Sequence, residues 1–551
     1  MEEKKDKLTM DRRHFLTGIA GATAIGAAGT LIGCAPSTPE PAGTASSGSA
    51  GSGSGSGSAG AEDWLGAPPE IGAVAETIDG EVVIVGAGVA GLAAGLAAIE
   101  NGVKPIIVEK GDTSRSGGGV HGAVNTKLQA QSGISFSEAE IDKLIKAEMK
   151  NSGMNADEML LRVWAAESGT VLDTIIELTA ADGVESRINT LPLPDYNQEE
   201  MEYFTEGAYP VGHAVGPGDA NGPAIDALTK KIQSEGGEFY YGTAGVALIQ
   251  DAEGNVTGVY GERGGEYLQF NASKGVVVTT GEYGNNPAMV EAFVPQVAGL
   301  GLNCFYAPPV NTGDGHKMMV WAGAEMQRAP HAPMTACTFL VPQPVPFLLV
   351  NINGERFQNE ASSNFIAFNS VGHQPEMTAF QVFDSRWAEV SNNLKVMTWE
   401  NTYLPDAEKV VSVEDASLTS DTLEGLAEQM GIPVAAFVET VNRRNALADA
   451  GHDDDFGLPI DRLIATKITD PPFYANQSNL IGYGVCLGGV WVNKNMEVLK
   501  PDGTPIGGLY AAGNTVGRRF GTSYFQELCG LSNGLADAHG YVAGRSAATK
   551  A

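Results

Sequence analysis

Cysteine is scarce in this chain and never occurs at the spacing that cysteine-bound metal centres require. The 551 residues contain five cysteines, Cys34, Cys304, Cys337, Cys486 and Cys529. No two of them are separated by two residues, so the CxxC and CxxCH patterns are absent. A covalently attached c-type haem, a zinc ribbon and an iron–sulfur cluster held by four cysteines of this chain are therefore not expected.

Positive charge and long apolar runs are also in short supply. Lys and Arg number 34 against 66 Asp and Glu, a formal net charge of −32, which argues against nucleic acid as a partner because phosphate binding needs a basic face. After the N-terminal region no stretch reaches about 18 uninterrupted apolar residues, so no later segment is expected to cross a bilayer. The length of 551 residues and the hydrophobic content of 43% instead predict more than one domain and a large buried core.

The N-terminus has the pattern of an export signal followed by a tether. Arg12 and Arg13 precede Phe15-Leu16 and a weakly apolar Gly/Ala-rich stretch, and residues 1–33 resemble a twin-arginine signal peptide. Leu31-Ile32-Gly33-Cys34 resembles a bacterial lipobox, which implies cleavage before Cys34 and its acylation. Residues 34–77 would then be a lipidated cysteine and a Gly/Ser-rich linker, holding the body at the outer face of the cytoplasmic membrane. The alternative is a plain soluble signal with an incidental cysteine.

The body of the chain begins with a complete βαβ pattern. A β-rich run, Glu81–Val85, leads into the GxGxxG loop Gly86–Gly91, a helix-forming stretch that ends at Gly102, and a second apolar run that ends at Glu109. The glycines allow a tight turn, close approach of a pyrophosphate and close helix packing, while the acid binds a ribose. The sequence therefore predicts dinucleotide binding, by FAD or NAD, through Gly86, Ala87, Gly88, Ala90, Gly91 and Glu109.

Several further segments resemble the fumarate reductase/succinate dehydrogenase flavoprotein family. They are the small-residue stretch after Glu109, Gly275–Gly281, the TGDG turn Thr312–Gly315, the segment 350–360 with Arg356-Phe357-Gln358-Asn359-Glu360, Pro471–Ala475 and Gly507–Asn514. The resemblance implies an α/β fold: a two-part Rossmann-like FAD-binding domain, residues 78–334 and 471–551, with an inserted α+β capping domain at 335–470. Composition predicts a hairpin over Phe239–Glu262, a long cap helix near Ser417–Ala450 and a final helix from Leu535.

The same resemblance assigns residues to FAD and predicts that FAD is bound non-covalently. Gly117 stands where members with covalent flavin have a histidine, and nearby His121 is expected to be structural. The further FAD-contacting residues implied by the resemblance are Lys110, Ser116, Gly117, Gly118, Val246, Thr280, Gly281, Gly513 and Asn514. Ser532, Asn533 and Leu535 are added because the N-terminus of the expected final helix would point its N–H dipoles at the flavin.

The residues that would hold a dicarboxylate in that family are replaced here. Asn364 stands in place of the proton-donating arginine, Val485 in place of a substrate-binding histidine, and Tyr524 in place of a carboxylate-binding arginine. The spacing of Gly513, Gly521 and Tyr524 is similar to that of the 3-ketosteroid dehydrogenase branch, which implies that Tyr524 hydrogen-bonds a substrate carbonyl; the alternative is a packed aromatic. The catalytic candidates are Tyr524, Arg518, Arg519, His331 and Asn364, and one of the two arginines is expected to face the site.

These features predict an exported FAD-dependent oxidoreductase that reduces a C=C bond conjugated to a carbonyl in a small molecule. Since the sequence has no haem or cluster motif, electrons are expected from a separate quinol- or cytochrome-linked donor protein. Two alternatives stay open: an FAD-dependent ketone or 3-ketosteroid-type dehydrogenase that introduces a C=C bond, and a non-catalytic flavin-binding lipoprotein.

Overall fold

The computed structural model describes most of the chain after the predicted linker. The described residues are 64–189, 209–217, 221–304, 310–337, 339–342, 345–362, 364–396, 403–524 and 528–550. The predicted signal peptide, Cys34 and most of the predicted linker lie outside them. Within the described residues, no helix has the length and apolar character needed to cross a membrane.

The main sheet has eight strands and a parallel centre. Its strands, numbered in chain order, are β1 (Val74–Val85), β2 (Ile106–Val108), β6 (Glu238–Tyr240), β7 (Ala244–Gln250), β8 (Val256–Arg263), β9 (Glu266–Val278), β16 (Glu497–Leu499) and β17 (Pro505–Ala511). Strands β17, β9, β1, β2 and β6 lie side by side in that order and are parallel. This is the Rossmann-type sheet that the sequence predicts, so the α/β fold class is confirmed.

Burial explains why the predicted first strand is the centre of this sheet. Val82, Val83, Ile84 and Val85 are buried, and Val83 pairs with both Ile106 of β2 and Val276 of β9. A strand flanked by neighbours on both edges and helices on both faces needs a continuous apolar run. The strand begins at Val74, earlier than predicted, because its exposed first half pairs with β9.

Four helices pack against the main sheet or one another: α1 (Val89–Glu100), α4 (Glu158–Ala181), α5 (Gly222–Ser234) and α14 (Leu531–Ala548). They approach closely where a glycine of one helix faces the backbone of its neighbour. A Cβ on Gly540 of α14 would lie 2.2 Å from the carbonyl oxygen of Ala90 in α1, so glycine permits this contact. Helix α14 begins at Leu531, four residues before the predicted start, because Gly530 (φ +73°) is its N-cap.

A second sheet contains the segment predicted to cap the site. Its strands are β10 (Asn303–Cys304), β11 (Ala332–Cys337), β12 (Leu348–Asn351), β13 (Thr378–Asp384), β14 (Leu418–Ser420) and β15 (Phe473–Leu487). The first half of β15 pairs with β13 and β14, and its second half pairs with β10 and β11. Strand β15 therefore links the predicted cap to residues around the cavity described below. The domain boundaries at 334/335 and 470/471 stay predictions.

The remaining elements surround these two sheets. A small antiparallel sheet has β3 (Val120–Gly122), β5 (Gly212–Val215) and β4 (Ser186–Ile188) in that order. The other helices are α2 (Lys127–Gln131), α3 (Glu138–Asn151), α6 (Pro287–Phe293), α7 (Asp314–Trp321), α8 (Asn364–Gly372), α9 (Trp387–Leu394), α10 (Ala407–Ala416), α11 (Leu423–Met430), α12 (Val434–Ala450) and α13 (Ile460–Ala465).

Two local predictions differ from the structure in instructive ways. The long helix expected near Ser417–Ala450 is two helices, α11 and α12. Gly431 (φ +72°) ends the first, and Pro433 precedes the second. The hairpin expected over Phe239–Glu262 is formed by β7 and β8 alone, while β6 pairs in parallel with β2.

Candidate active site

A cavity of about 530 Å³ lies at the carboxyl ends of the parallel strands β1, β2 and β9. One part of its wall contains the glycine loop, Glu109 and the start of α1. Another part of the wall comes from the second sheet, from α8 and from the loop between β17 and α14. Its residues are Met334, Thr335 and Ala336 of β11, Val485 of β15, Phe368 of α8 and Tyr524 of the loop. Ligands of doubly wound sheets bind at this edge.

The glycine loop has the geometry that a pyrophosphate site requires. Gly86 has φ +107°, and a Cβ there would lie 2.5 Å from the carbonyl oxygen of Thr279. A Cβ on Gly91 would lie 1.9 Å from the carbonyl oxygen of Gly86. Gly88 caps α1 without a side-chain hydrogen bond, so the first N–H groups of α1 are left to bind an anion at the positive end of the helix.

Glu109 is fixed by two backbone N–H groups. Its Oε2 accepts the N–H of Ala87 at 2.7 Å, and its Oε1 accepts the N–H of Gly111 at 2.6 Å. A carboxylate oxygen has further acceptor capacity, so Glu109 can bind ribose hydroxyls while it holds the glycine loop in place. Ala87 contributes to the site through this N–H.

Lys110 connects the glycine-loop side of the cavity to the TGDG turn. Its Nζ lies 2.8 Å from Oδ2 of Asp314 and donates to Oγ1 of Thr312 at 3.0 Å. All three residues line the cavity. The pair is partly exposed, so its main consequence is the position of the turn.

His121 lies behind the small-residue stretch and does not line the cavity. Its Nδ1 is 2.6 Å from Oδ2 of Asp537 and its Nε2 is 2.7 Å from Oδ1 of Asn221, whose amide donates to the carbonyl of Gly117 at 2.8 Å. Burial alone lowers the pKa of His121, but the charge of Asp537 and these hydrogen bonds raise it above its ordinary value. Both ring nitrogens are thus engaged in the support of the Gly117 segment.

The two adjacent arginines have different environments. Arg518 (φ +58°) is partly exposed, lies 3.1 Å from Asp157 and stacks over Trp491 at 4.8 Å. Arg519 is buried, donates to Oδ1 of Asn514 and lies 3.3 Å from the carbonyl of Ser532. Arg519 is thus the arginine that faces the cavity-lining residues.

The buried Arg519 has no carboxylate partner within the part of the chain that the structure describes. Its Nε lacks a hydrogen-bond partner there. Burial lowers the pKa of Arg519 to about 10, and the proximity of Tyr524 acts in the opposite direction. A cationic group in this position favours negative charge on a ligand that contacts Asn514 and Ser532.

Tyr524 is a buried residue of the cavity wall. Its ring packs edge-on against Phe520 with centroids 5.0 Å apart. Val485, which stands where the family has a histidine, lines the same part of the wall. Asn364 is the first residue of α8, and its side chain lies outside the described residues.

His331 is held by protein groups away from the cavity lining. Its Nδ1 accepts from the hydroxyl of Tyr283 at 2.6 Å, its Nε2 donates to the carbonyl of Gln327 at 2.9 Å, and its ring stacks on Phe293. Burial lowers the pKa of His331 to about 4, so the ring is neutral near pH 7. Its catalytic role stays a prediction.

Most of the residues predicted to contact FAD line the cavity. They are Gly86, Gly88, Ala90, Glu109, Lys110, Ser116, Gly117, Gly118, Thr280, Gly281, Gly513, Asn514, Ser532 and Asn533. The cavity lining does not include Ala87, Gly91, Val246 or Leu535. Gly245 lines the cavity beside Val246, and Gly91 acts through close packing.

Glu282 is a buried acid of the cavity wall that the sequence reasoning missed. It directly follows Gly281, in the loop after β9. An ionisable residue next to a predicted ligand-binding glycine is the signal that could have found it.

The residues present fit FAD. The free N–H groups of α1, the fixed carboxylate of Glu109 and the buried Oγ1 of Thr280, which has no hydrogen-bond partner among the described residues, all belong to one cavity. The described residues contain no cluster of three or more His, Cys, Asp and Glu side chains that could hold a metal ion.

Comparisons with known proteins agree with this assignment. The family described as FAD binding domain matches residues 81–532. The vinyl phenol reductase of Lactiplantibacillus plantarum is 27% identical over 520 residues, which cover 85% of this chain and 96% of that protein.

Two solved structures share the fold. A flavocytochrome c3 fumarate reductase is 26% identical with a TM-score of 0.60, covering 87% of this chain and 79% of that one. The 3-ketosteroid-Δ4-(5α)-dehydrogenase of Rhodococcus jostii RHA1 has a TM-score of 0.65 at 24% identity, covering 88% of this chain and all of that one.

Proposed function

This chain belongs to the FAD-binding family that matches residues 81–532, and from that membership we propose that it reduces a C=C bond conjugated to a carbonyl group. It is an FAD-dependent oxidoreductase of a family whose named reductases act on C=C bonds. The proposal adds a substrate class, non-covalent FAD, a separate electron donor and an exported, lipid-anchored location.

The observation that carries the proposal is the composition of the wall around Tyr524. Met334, Thr335, Ala336, Phe368 and Val485 are apolar or uncharged, and Tyr524 carries a hydroxyl group. None of these described residues is cationic, whereas a dicarboxylate is bound best by the planar fork of arginine. An apolar wall with one phenol instead suits a carbonyl compound of low charge.

The chain's own residues can activate such a substrate. FAD, when bound and reduced, supplies a hydride for the β-carbon. In the proposed arrangement the hydroxyl of Tyr524 donates a hydrogen bond to the carbonyl oxygen and so withdraws electron density from the double bond. A substrate that packs against the apolar side chains of this wall would displace water from the reacting atoms, which would strengthen the polarisation.

The mode of FAD binding, the electron donor and the location are proposed from the sequence. Gly117 offers no side chain for a covalent bond to flavin, which supports non-covalent binding. The sequence contains no haem or cluster motif, so the proposal requires a quinol- or cytochrome-linked donor protein. The twin-arginine and lipobox patterns support a proposed encounter at the outer face of the cytoplasmic membrane, with Cys34 as the proposed anchor.

The test is an anaerobic assay of the purified chain with FAD and reduced viologen as the electron source. Enones, aryl acrylates, vinyl phenols and fumarate are offered in parallel, and flavin reoxidation is followed by its absorbance. We expect turnover with the enones and aryl acrylates and little with fumarate, whose two carboxylates need cationic partners. If fumarate is the best substrate, the account of the wall is wrong. If only saturated ketones react, with an artificial electron acceptor, the chain is a dehydrogenase.

A further inference from the structure

Reduction of a C=C bond needs a proton as well as a hydride. Asn364 stands where the resembled family has its proton-donating arginine. The amide of Asn364 is not an acid at ordinary pH, so the proton must come from another group. The ionisable residues of the cavity wall are Glu109, Lys110, Arg115, Glu282, Asp314 and Tyr524. Glu109 is held by the glycine loop, and Lys110 and Asp314 bind each other. Glu282 is the remaining carboxyl group, and it is 1% exposed.

We propose that Glu282 is the acid that protonates the substrate, through its Oε1 atom. This inference deepens the proposed function and rests on it. The hydride adds to the β-carbon, and the π electrons of the C=C bond form the new bond between the α-carbon and the Oε1 proton. Glu282 is left as a carboxylate, which a solvent proton then restores.

The two oxygens of Glu282 have different surroundings. Oε2 accepts the backbone N–H of Gly284 and, at 3.1 Å, the backbone N–H of Cys486. An oxygen that accepts two N–H groups is poorly placed to carry a proton itself. Oε1 is buried and has no hydrogen-bond partner among the described residues, so the proton of the neutral acid belongs on Oε1.

Strand β15 places Glu282 near the part of the cavity that contains Tyr524. The N–H donor to Oε2 is that of Cys486, and the preceding residue, Val485, lines the cavity and packs with the apolar cluster that includes Tyr524. Glu282 is therefore bonded to the strand that supplies Val485 to the wall proposed to contact the substrate.

The protonation state of Glu282 suits this role. Burial raises its pKa to about 7, and the backbone N–H groups of Cys486 and Gly284 that Oε2 accepts act in the opposite direction. The titratable groups around it are Tyr283, Tyr483 and Cys486, whose pKa values are all raised by burial, and Cys304. Within the described residues no cation is among the causes of this shift.

The experiment compares the wild type with Glu282→Gln, Glu282→Asp and the exposed control Glu291→Gln, all loaded with FAD. We expect Glu282→Gln to slow reoxidation of the reduced protein by the best conjugated substrate by about a hundredfold or more. Its FAD content and its reduction by viologen should stay unchanged. Glu282→Asp should recover part of the rate, and Glu291→Gln should match the wild type.

Two further readouts separate an acid from a merely structural residue. The wild-type reoxidation rate should fall with rising pH around a pKa of about 7, and this limb should be absent in Glu282→Gln. Infrared difference spectra of the unreacted protein should show a protonated carboxyl band that titrates in the same range and is missing in Glu282→Gln.

The outcomes are distinguishable. An active wild type whose Glu282→Gln variant keeps the rate and the pH limb overturns the Glu282 inference alone, as does the absence of the infrared band. A wild type that reduces no conjugated compound overturns the proposed function and, with it, this role for Glu282. If Glu282→Gln loses FAD, the wild type decides through its own infrared band and pH profile, and the absence of either overturns the Glu282 inference.

Discussion

The guanidinium of Arg519 donates a hydrogen bond to the side-chain oxygen of Asn514, and both residues follow the last strand of the main sheet. Asn514 lines the cavity, whereas Arg519 lies behind it as a buried cation without a carboxylate partner among the described residues. This pair therefore brings a positive charge close to the first turn of α14, where Ser532 and Asn533 also line the cavity.

Arg519→Gln should make the bound flavin harder to reduce. The reduced anionic form gains more from the Arg519 charge than the neutral oxidised form does. We expect a midpoint potential lower by about 30 mV or more, which corresponds to a tenfold loss of preference for the reduced form. The measurement is a spectroscopic redox titration.

The matched control is Arg518→Gln, because Arg518 is partly exposed and contacts Asp157 and Trp491. Its potential should equal that of the wild type. An equal shift of the midpoint potential in both variants would show that the buried charge of Arg519 does not stabilise the reduced flavin more than the exposed charge of Arg518 does.

Glu109→Ala should weaken FAD binding. The change removes the acceptor of the Ala87 and Gly111 N–H groups as well as the ribose partner. Loss of charge-assisted hydrogen bonds of about 1.5–3 kcal/mol each predicts affinity lower by at least about tenfold. Fluorescence titration of the apoprotein with FAD measures it, and Glu100→Ala, at the far end of α1, should leave it unchanged. Unaltered affinity in Glu109→Ala would contradict the assignment.

Gly86→Ala should destabilise the protein and lower its FAD content. The new Cβ would lie 2.5 Å from the carbonyl oxygen of Thr279 in a backbone conformation with φ +107°. Strain of this kind costs about 1–3 kcal/mol before the collision is counted. The control is Gly102→Ala, which also has positive φ but meets nothing within 4 Å, so it carries the backbone cost alone. Thermal unfolding and the FAD-to-protein absorbance ratio compare the two.

The buried pair of His121 and Asp537 should make stability depend on pH. Because the folded protein has a His121 pKa above the usual 6.5, the protonated pair stabilises the folded state fully below that value. The contribution is lost as pH rises through the raised pKa. The difference in unfolding free energy between the wild type and His121→Gln should therefore be largest at acidic pH and shrink toward alkaline pH. Denaturant titrations of the FAD-saturated proteins across this range measure it; a difference that grows with pH would contradict the raised pKa.

Local patterns predicted the strand, glycine loop and helix at the start of the main sheet because these elements are contiguous in sequence. The strand before Gly86, the helix after it and Glu109 at the end of β2 are consecutive elements, so short-range pattern and turn geometry decide them. Gly530, by contrast, starts α14 four residues earlier than predicted; it has positive φ and lies directly against the backbone of β3, a contact between distant segments.

The rest of the site depends on contacts between distant segments. Arg518 and Arg519 are adjacent, and only the placement of Asp157 and Asn514 tells which of them is buried. The role of Glu282 depends on the backbone of Cys486, about 200 residues later, which no local pattern reports. Gly431 and Pro433 are local signals of a helix break. The prediction of one long helix rests on composition, which does not take such single residues into account.

The most direct test of the account is anaerobic reoxidation of the reduced protein by an enone, for the wild type and Tyr524→Phe. Removal of the hydroxyl should slow reoxidation by about tenfold to a hundredfold, as for the loss of one polarising hydrogen bond. FAD content should be unchanged, and Tyr541→Phe, outside the cavity lining, should match the wild type. Equal rates in all three proteins, or faster reoxidation by fumarate than by any conjugated ketone, would contradict a site built around the Tyr524 phenol.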